Sequence, residues 1–201
     1  MNLVEYWLDN YPSKAEFADG WKCRAEPVYA LKDSMSVFMD FIQSVDTQDR
    51  VGLVIYDSTN GNAILESGLT DNLATISGIV NQRQAGHYHS YTNIGAGMKL
   101  GRQTLESTAR PNACKIVVLM TDGLANYYNG SYNPSGAAQQ ISDESASAAA
   151  EKYKIFTLSV GVAADTATMQ AVADTTDGKH FNVPGGSDHQ AMHDNLKAAF
   201  K

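Results

Sequence analysis
At 201 residues the chain is sized for one domain, at ~150 residues per domain, and such a chain buries about 70% of its unfolded surface without staples. Its 15 basic and 22 acidic residues leave a charge of −7, which disfavours nucleic acid and anionic membrane as partners. The 43% apolar fraction is globular, and the two cysteines exclude a disulfide-rich scaffold and a four-thiolate zinc site.

Residues 1–26 stand apart from the rest of the chain, as an N-terminal extension or the remnant of an insertion ahead of a domain over residues 27–201. Leu3, Val4, Trp7, Leu8 and Tyr11 recur at helical spacing, so residues 2–10 are expected to form a helix outside any sheet. Met1 to Glu5 lack the basic and apolar regions of a signal peptide, and no apolar run approaches the ~20 residues of a membrane span. Pro27 suits a first helical turn, and Leu31, Met35, Phe38 and Ile42 come after it at spacings of three and four.

Val51-Gly52-Leu53-Val54-Ile55-Tyr56 is a nearly continuous apolar run, as in a strand covered on both faces. After the Asn60-Gly61-Asn62 turn, residues 63–70 return as an antiparallel edge strand. Helices are predicted over 71–82 and 93–106, a second buried strand over 115–120, and an Ala/Ser-rich helix over 137–154. A third strand spans 155–160, then a short helix 165–174, a strand 180–183 and a closing helix 187–200. Residues 126–135 are expected to be a surface loop. Strand–helix repeats with right-handed crossovers predict a Rossmann-like three-layer α/β/α fold with a mostly parallel central sheet. The three continuous apolar runs should be its most buried strands.

Ligands of such sheets bind beyond the carboxyl ends of the strands, and two segments there carry chemistry. Met120-Thr121-Asp122-Gly123 places a carboxylate directly after a buried strand. Thr92-Asn93-Ile94-Gly95-Ala96-Gly97 places a hydroxyl at a helix start, where Thr92 taken alone is read as the N-cap. Together, Thr92 and Asp122 suggest oxygen ligands for a hard cation.

At these segments, and at Ile155-Phe156-Thr157-Leu158-Ser159-Val160-Gly161 and His180-Phe181-Asn182-Val183-Pro184, the sequence resembles the von Willebrand factor A family, with the flavour of bacterial pilus-assembly (Tad-type) members. The resemblance implies a metal-ion-dependent adhesion site for Mg²⁺, or Mn²⁺ or Ca²⁺, in which Thr92 and Asp122 take the positions of the family's Thr and Asp ligands. The remaining ligands belong to a D-x-S-x-S motif after the family's first strand. No apolar strand with that motif precedes the helix at Pro27, so metal binding is expected to be weak or absent in this chain. The implied strand order, 3-2-1-4-5-6, would set the first strand between residues 51–56 and 115–120. Two explanations are open: an upstream part of a longer chain holds that strand, which is the favoured one, or the sheet closes differently around a degenerate site.

The remaining signals are weaker. Asp143-Glu144-Ser145-Ala146-Ser147 matches D-x-S-x-S literally but lies in a helical stretch, as does Asp33-Ser34-Met35-Ser36. Gly95-x-Gly97-x-x-x-Gly101 lacks both the preceding strand and the spacing of a dinucleotide fingerprint. His189 and His193 lie four apart without a third zinc ligand. His87-Tyr88-His89-Ser90-Tyr91 is a polar loop beside Thr92. Cys114 is read as a core thiol and Cys23 as a loop residue, with a bond between them left open. No G-x-S-x-G elbow or P-loop occurs. The resemblance implies a non-enzymatic module that binds a protein ligand or cell-surface component, and its pilus-type flavour implies an extracytoplasmic or cell-envelope setting. A metal-dependent hydrolase and a purely structural domain are the alternatives.

Overall fold
A computed structural model describes residues 28–45, 47–56, 63–83, 91–183 and 194. The expectations for residues 1–26, His87, His89, Cys23, His189 and His193 lie outside the described residues, as does the closing helix except for Asp194. In chain order the elements are α1 (Val28–Ser44), β1 (Val51–Tyr56), β2 (Ala63–Thr70), α2 (Leu73–Asn81) and α3 (Ile94–Thr108). Next come β3 (Ile116–Thr121), β4 (Tyr127–Tyr128), β5 (Ser131–Tyr132), α4 (Pro134–Ala150), β6 (Lys154–Val160), α5 (Thr166–Thr175) and β7 (His180–Val183).

Strand β6 lies at the centre of a parallel ladder, paired with β3 on one edge and β7 on the other. Its alternation divides the core into two layers. Ile155 joins Ile94 and Met98 of α3, Ile141 of α4, and Met169 and Val172 of α5 on one face. Leu158 and Val160 face the other way, with Val183 of β7, Val118 and Met120 of β3, and Leu31 of α1. Side-chain period two thus gives the predicted three layers. Between α3 and α4, the guanidinium of Arg102 bonds Glu144 at 3.1 Å and Glu151 at 2.7 Å.

Four helices begin on a side chain that accepts the backbone N–H three residues on: Asn72, Asn93, Asn133 and Asp165. Each such cap contributes about 1 kcal/mol. The helix expected from residue 137 starts earlier, because Asn133 caps it and Pro134 fits its first turn. It also ends earlier, and Lys154 opens β6. Residues 126–135 are not a plain loop, since they contain the β4–β5 hairpin, with Asn129 and Gly130 at positive φ, which suits an Asn-Gly turn.

The other ladder is β1 with β2, antiparallel as expected. Among the described residues no backbone bond joins β1 to β3. The Tyr56 hydroxyl instead donates to the carbonyl oxygen of Met120. Hydrogen-bonded strands lie ~4.8 Å apart, and a tyrosine side chain reaches further than that, so a wider space separates the two strands here. The prediction that all three apolar runs are deeply buried is therefore corrected. Every residue of β1 is only half-buried, and β3 opens with Ile116 at 45% exposure. Among the described residues each of these strands is paired along one edge only. Cys114, expected in the core, is exposed with a free thiol, because β3 begins two residues later.

Candidate functional site
The site is built on the turn that leaves β3. Thr121 is buried at the strand end, and its hydroxyl donates to the Gly123 carbonyl at 3.2 Å while lying 3.4 Å from the Gly123 N–H. This closes a tight turn whose apex is Asp122. Asp122 is exposed as a residue, yet desolvation holds its carboxyl above the ordinary value of 3.8 against a backbone hydrogen bond that lowers it.

Four residues on, Asn126 ties this loop to the start of α3. Its side-chain oxygen accepts the Thr92 N–H at 2.8 Å. Its own N–H and that of Tyr127 both bond the Thr92 carbonyl, at 3.0 and 3.3 Å. Both loops expected to carry ligands are thus brought together at one end of the sheet. The reading of Thr92 as the helix cap is corrected: Asn93 is the cap, accepting Ala96 N–H at 3.1 Å. The Thr92 hydroxyl makes no hydrogen bond among the described residues and is free for another role. Asn126 was not anticipated from sequence, where it looked like one polar residue among several after the strand.

Tyr56 lies beside this turn. Burial is the largest influence on its hydroxyl and holds its pKa far above the ordinary 10, with Thr121 within hydrogen-bonding reach and the Asp122 charge nearby. Its ring fits because position 97 is glycine, where an added Cβ would lie 2.8 Å from the ring. Of the glycines that faintly suggested a nucleotide loop, Gly95 and Gly97 thus serve packing, against Gln140 and Tyr56, while an added Cβ at Gly101 would meet nothing within 4 Å. The literal D-x-S-x-S match is helical as expected: Ser145 donates to Ile141 and Ser147 to Asp143, both to backbone carbonyls within α4.

Whether these residues suit a divalent cation is a question of donor count. Hard cations take six or more oxygens. The two loops supply one carboxylate and one hydroxyl, and among the described residues no three His, Cys, Asp or Glu side chains are grouped to hold a metal. The donor set does not by itself fit the cation.

Around the turn stand aromatic side chains. Tyr91 stacks on Tyr127 with ring centroids 5.1 Å apart and 20° between planes, and Tyr132 leans on Tyr91 at 6.4 Å.

The fold has counterparts among solved structures. An aerotolerance-related membrane protein from Bacteroides fragilis superposes with a TM-score of 0.63 at 16% identity, over 87% of this chain and 90% of that one. BatB from Bacteroides thetaiotaomicron gives 0.60 at 15% identity, over 87% and 90%. Proximal thread matrix protein 1 from the mussel byssus, described with a zinc-occupied metal-ion-dependent adhesion site, gives 0.58 at 21% identity, over 85% of this chain and 40% of that one. A comparison with curated protein sequences finds no match. The family model of the von Willebrand factor type A domain matches residues 21–195, most of the sequence, and the chain belongs to that family.

Proposed function
We propose that this domain is a protein- or surface-binding module rather than an enzyme, and that its binding edge is the pair of loops carrying Thr92 and Asp122. The observation that carries this reading is the Asn126 clamp, which fixes the Thr92 loop against the loop after β3. A carboxylate and an uncommitted hydroxyl on loops held this way are suited to share a cation, and the family's members commonly use one there. The ion would be Mg²⁺, with Mn²⁺ or Ca²⁺ as alternatives. The space between β1 and β3 is where the resemblance places the family's first strand with its D-x-S-x-S motif, to be supplied from outside the described residues. A role in a bacterial pilus or secretion system, in the cell envelope, agrees with the Tad-type flavour of the sequence. A solved neighbour described as a membrane protein is compatible with it.

Calorimetric titration with Mg²⁺ and Mn²⁺ tests the metal reading. The 201-residue chain should bind weakly or not at all, since one carboxylate and one hydroxyl replace too little of the hydration shell. A chain carrying a strand and D-x-S-x-S motif should bind more tightly, and Asp122→Ala should abolish that gain. Tight binding that survives Asp122→Ala would overturn the assignment.

A further inference from the structure
We propose that the loops after β3 and β6, with the segment before α3, form a docking surface for a basic protein segment, whose Lys or Arg side chains lie against Tyr91 and Tyr132 and face Asp122. This rests on the reading of the domain as an interaction module and names the chemistry of its partner.

Exposed apolar side chains are concentrated at this end. Of the nine large hydrophobic residues exposed among the described ones, five lie on these loops: Tyr91, Leu124, Tyr128, Tyr132 and Val162. The loops form one continuous edge, because Asn126 and Tyr127 bond Thr92 and the Asp165 N–H bonds the Gly123 carbonyl at 3.4 Å. Tyr91 is backed by Tyr127 yet 45% exposed, and Tyr132 is 66% exposed. Rings already held by neighbours lose little freedom when a partner covers them.

Charge selects the occupant. Residues 91–93, 121–133 and 161–165 include the carboxylates of Asp122 and Asp165 and not one Lys, Arg or His. Lys99 lines a cleft behind Tyr128, but in the company of Asp143 and Glu144. Without a cation, an acidic partner would meet an uncompensated carboxylate. A neutral sugar would need free amide groups, and in two of the three asparagines of residues 126–133 the side-chain oxygen is already taken, that of Asn126 by the Thr92 N–H and that of Asn133 by the Gly136 N–H. A guanidinium or ammonium gains both from the ring faces and from the carboxylates.

The test uses three synthetic peptides of equal length in which Leu alternates with Arg, Glu or Ser, titrated against the whole chain without divalent metal. The Arg peptide should bind tightest, and its affinity should fall as salt rises. The Tyr91→Ser, Tyr132→Ser double variant keeps the net charge, so general attraction to an acidic protein is unchanged. With an unaltered melting temperature it should bind about tenfold more weakly through loss of the cation–π contacts. Asp122→Asn should weaken binding as well, whereas Asp40→Asn, an equal charge change on exposed α1, should not. Equal binding by the double variant would reduce the effect to bulk charge and overturn the proposal. So would no binding by the Arg peptide, or capture of a neutral oligosaccharide by the same tyrosines. Mg²⁺-dependent binding of the Glu peptide that Asp122→Asn abolishes would also overturn it while upholding the adhesion-site reading. Failure of the Mg²⁺ and Mn²⁺ titrations would leave the Arg peptide result standing.

Discussion
The two ladders of this domain are built to different depths, and the more apolar strand is the less buried one. In β6, five of the seven residues are buried, and Leu158, Val160 and Thr157 are almost inaccessible. In β1, none of the six is fully buried. Composition would predict the opposite order, since Val51-Gly52-Leu53-Val54-Ile55-Tyr56 lacks the Lys154, Thr157 and Ser159 that interrupt the apolar residues of β6. What separates them among the described residues is the number of paired edges, because a strand with neighbours on both sides is shielded along its backbone as well as on its faces. The β3–β6–β7 ladder is the structural anchor, and the β1–β2 pair is held to it by α3 and by the Tyr56 bond to Met120.

If that is correct, equivalent truncations should cost very different amounts. Leu158→Ala, at 1% exposure, should destabilise by about 2–5 kcal/mol, the usual range for a buried leucine. Val54→Ala in half-buried β1 should cost about 1 kcal/mol, because less area leaves water there. Urea unfolding of both variants measures the difference. Similar costs would mean that β1 is as well packed as β6 in solution and would break the comparison.

Two glycines sharpen it at the level of the backbone. A Cβ at Gly178 would lie 2.0 Å from the Ile155 carbonyl oxygen of β6. Gly178→Ala therefore forces the approach to β7 away from the central strand, at a cost of about 1–3 kcal/mol or more. At Gly68 of β2 an added Cβ meets nothing within 4 Å, so Gly68→Ala should change stability by no more than about 0.5 kcal/mol. Melting temperatures of the two variants read the contrast directly.

Legibility in the sequence divides along the same line. Local signals were legible: the helical spacing in α1, the apolar runs, the edge strand at residues 63–70 and the last strand over His180–Val183 all lie where the pattern put them. Pairing was legible only where a turn implies it, as in the antiparallel return of β2; elsewhere an apolar run looks alike whether one or both of its edges are bonded. The same holds at the candidate site. Thr92 and Asp122 were identifiable from the motif pattern, whereas Asn126 was not, since its role depends on a contact 34 residues away in sequence. Asn93 and Thr92 are both plausible caps by type, and only the backbone course decides between them.

Tyr56 is the link between the two halves, and Tyr56→Phe isolates it. The ring and its packing on Gly97 remain, while the Met120 carbonyl loses its donor. A buried hydrogen bond lost in this way costs about 1 kcal/mol. Hydrogen exchange should show the loss in β1 and β2 amides before those of β6, because the weakened contact joins the outer pair to the anchor. Uniform acceleration across both ladders would mean that the halves open as one unit.

The smallest expected effect lies inside the anchor and depends on pH. The Thr157 hydroxyl donates to the Met169 carbonyl at 2.9 Å, so it must accept from His180 Nδ1, also at 2.9 Å. In the neutral ring the proton is therefore on Nδ1, and Nε2 is a buried acceptor without a partner among the described residues. Protonation would place a second N–H where nothing receives it. Desolvation accordingly lowers the His180 pKa below 6.5, outweighing the opposing influences of Thr157 and the Asp174 carboxylate. The unfolded chain then binds the proton more readily than the folded one. His180's contribution is complete above its unfolded value and is lost as the pH falls through that value towards the folded one. Solvent near the ring screens the effect and keeps it small. Urea midpoints at about pH 7.5 and about pH 5.5, either side of the ordinary histidine value, should therefore fall further for the parent than for His180→Gln. Identical drops would assign the acid sensitivity to carboxylates elsewhere and leave β7 indifferent to the charge of its first residue.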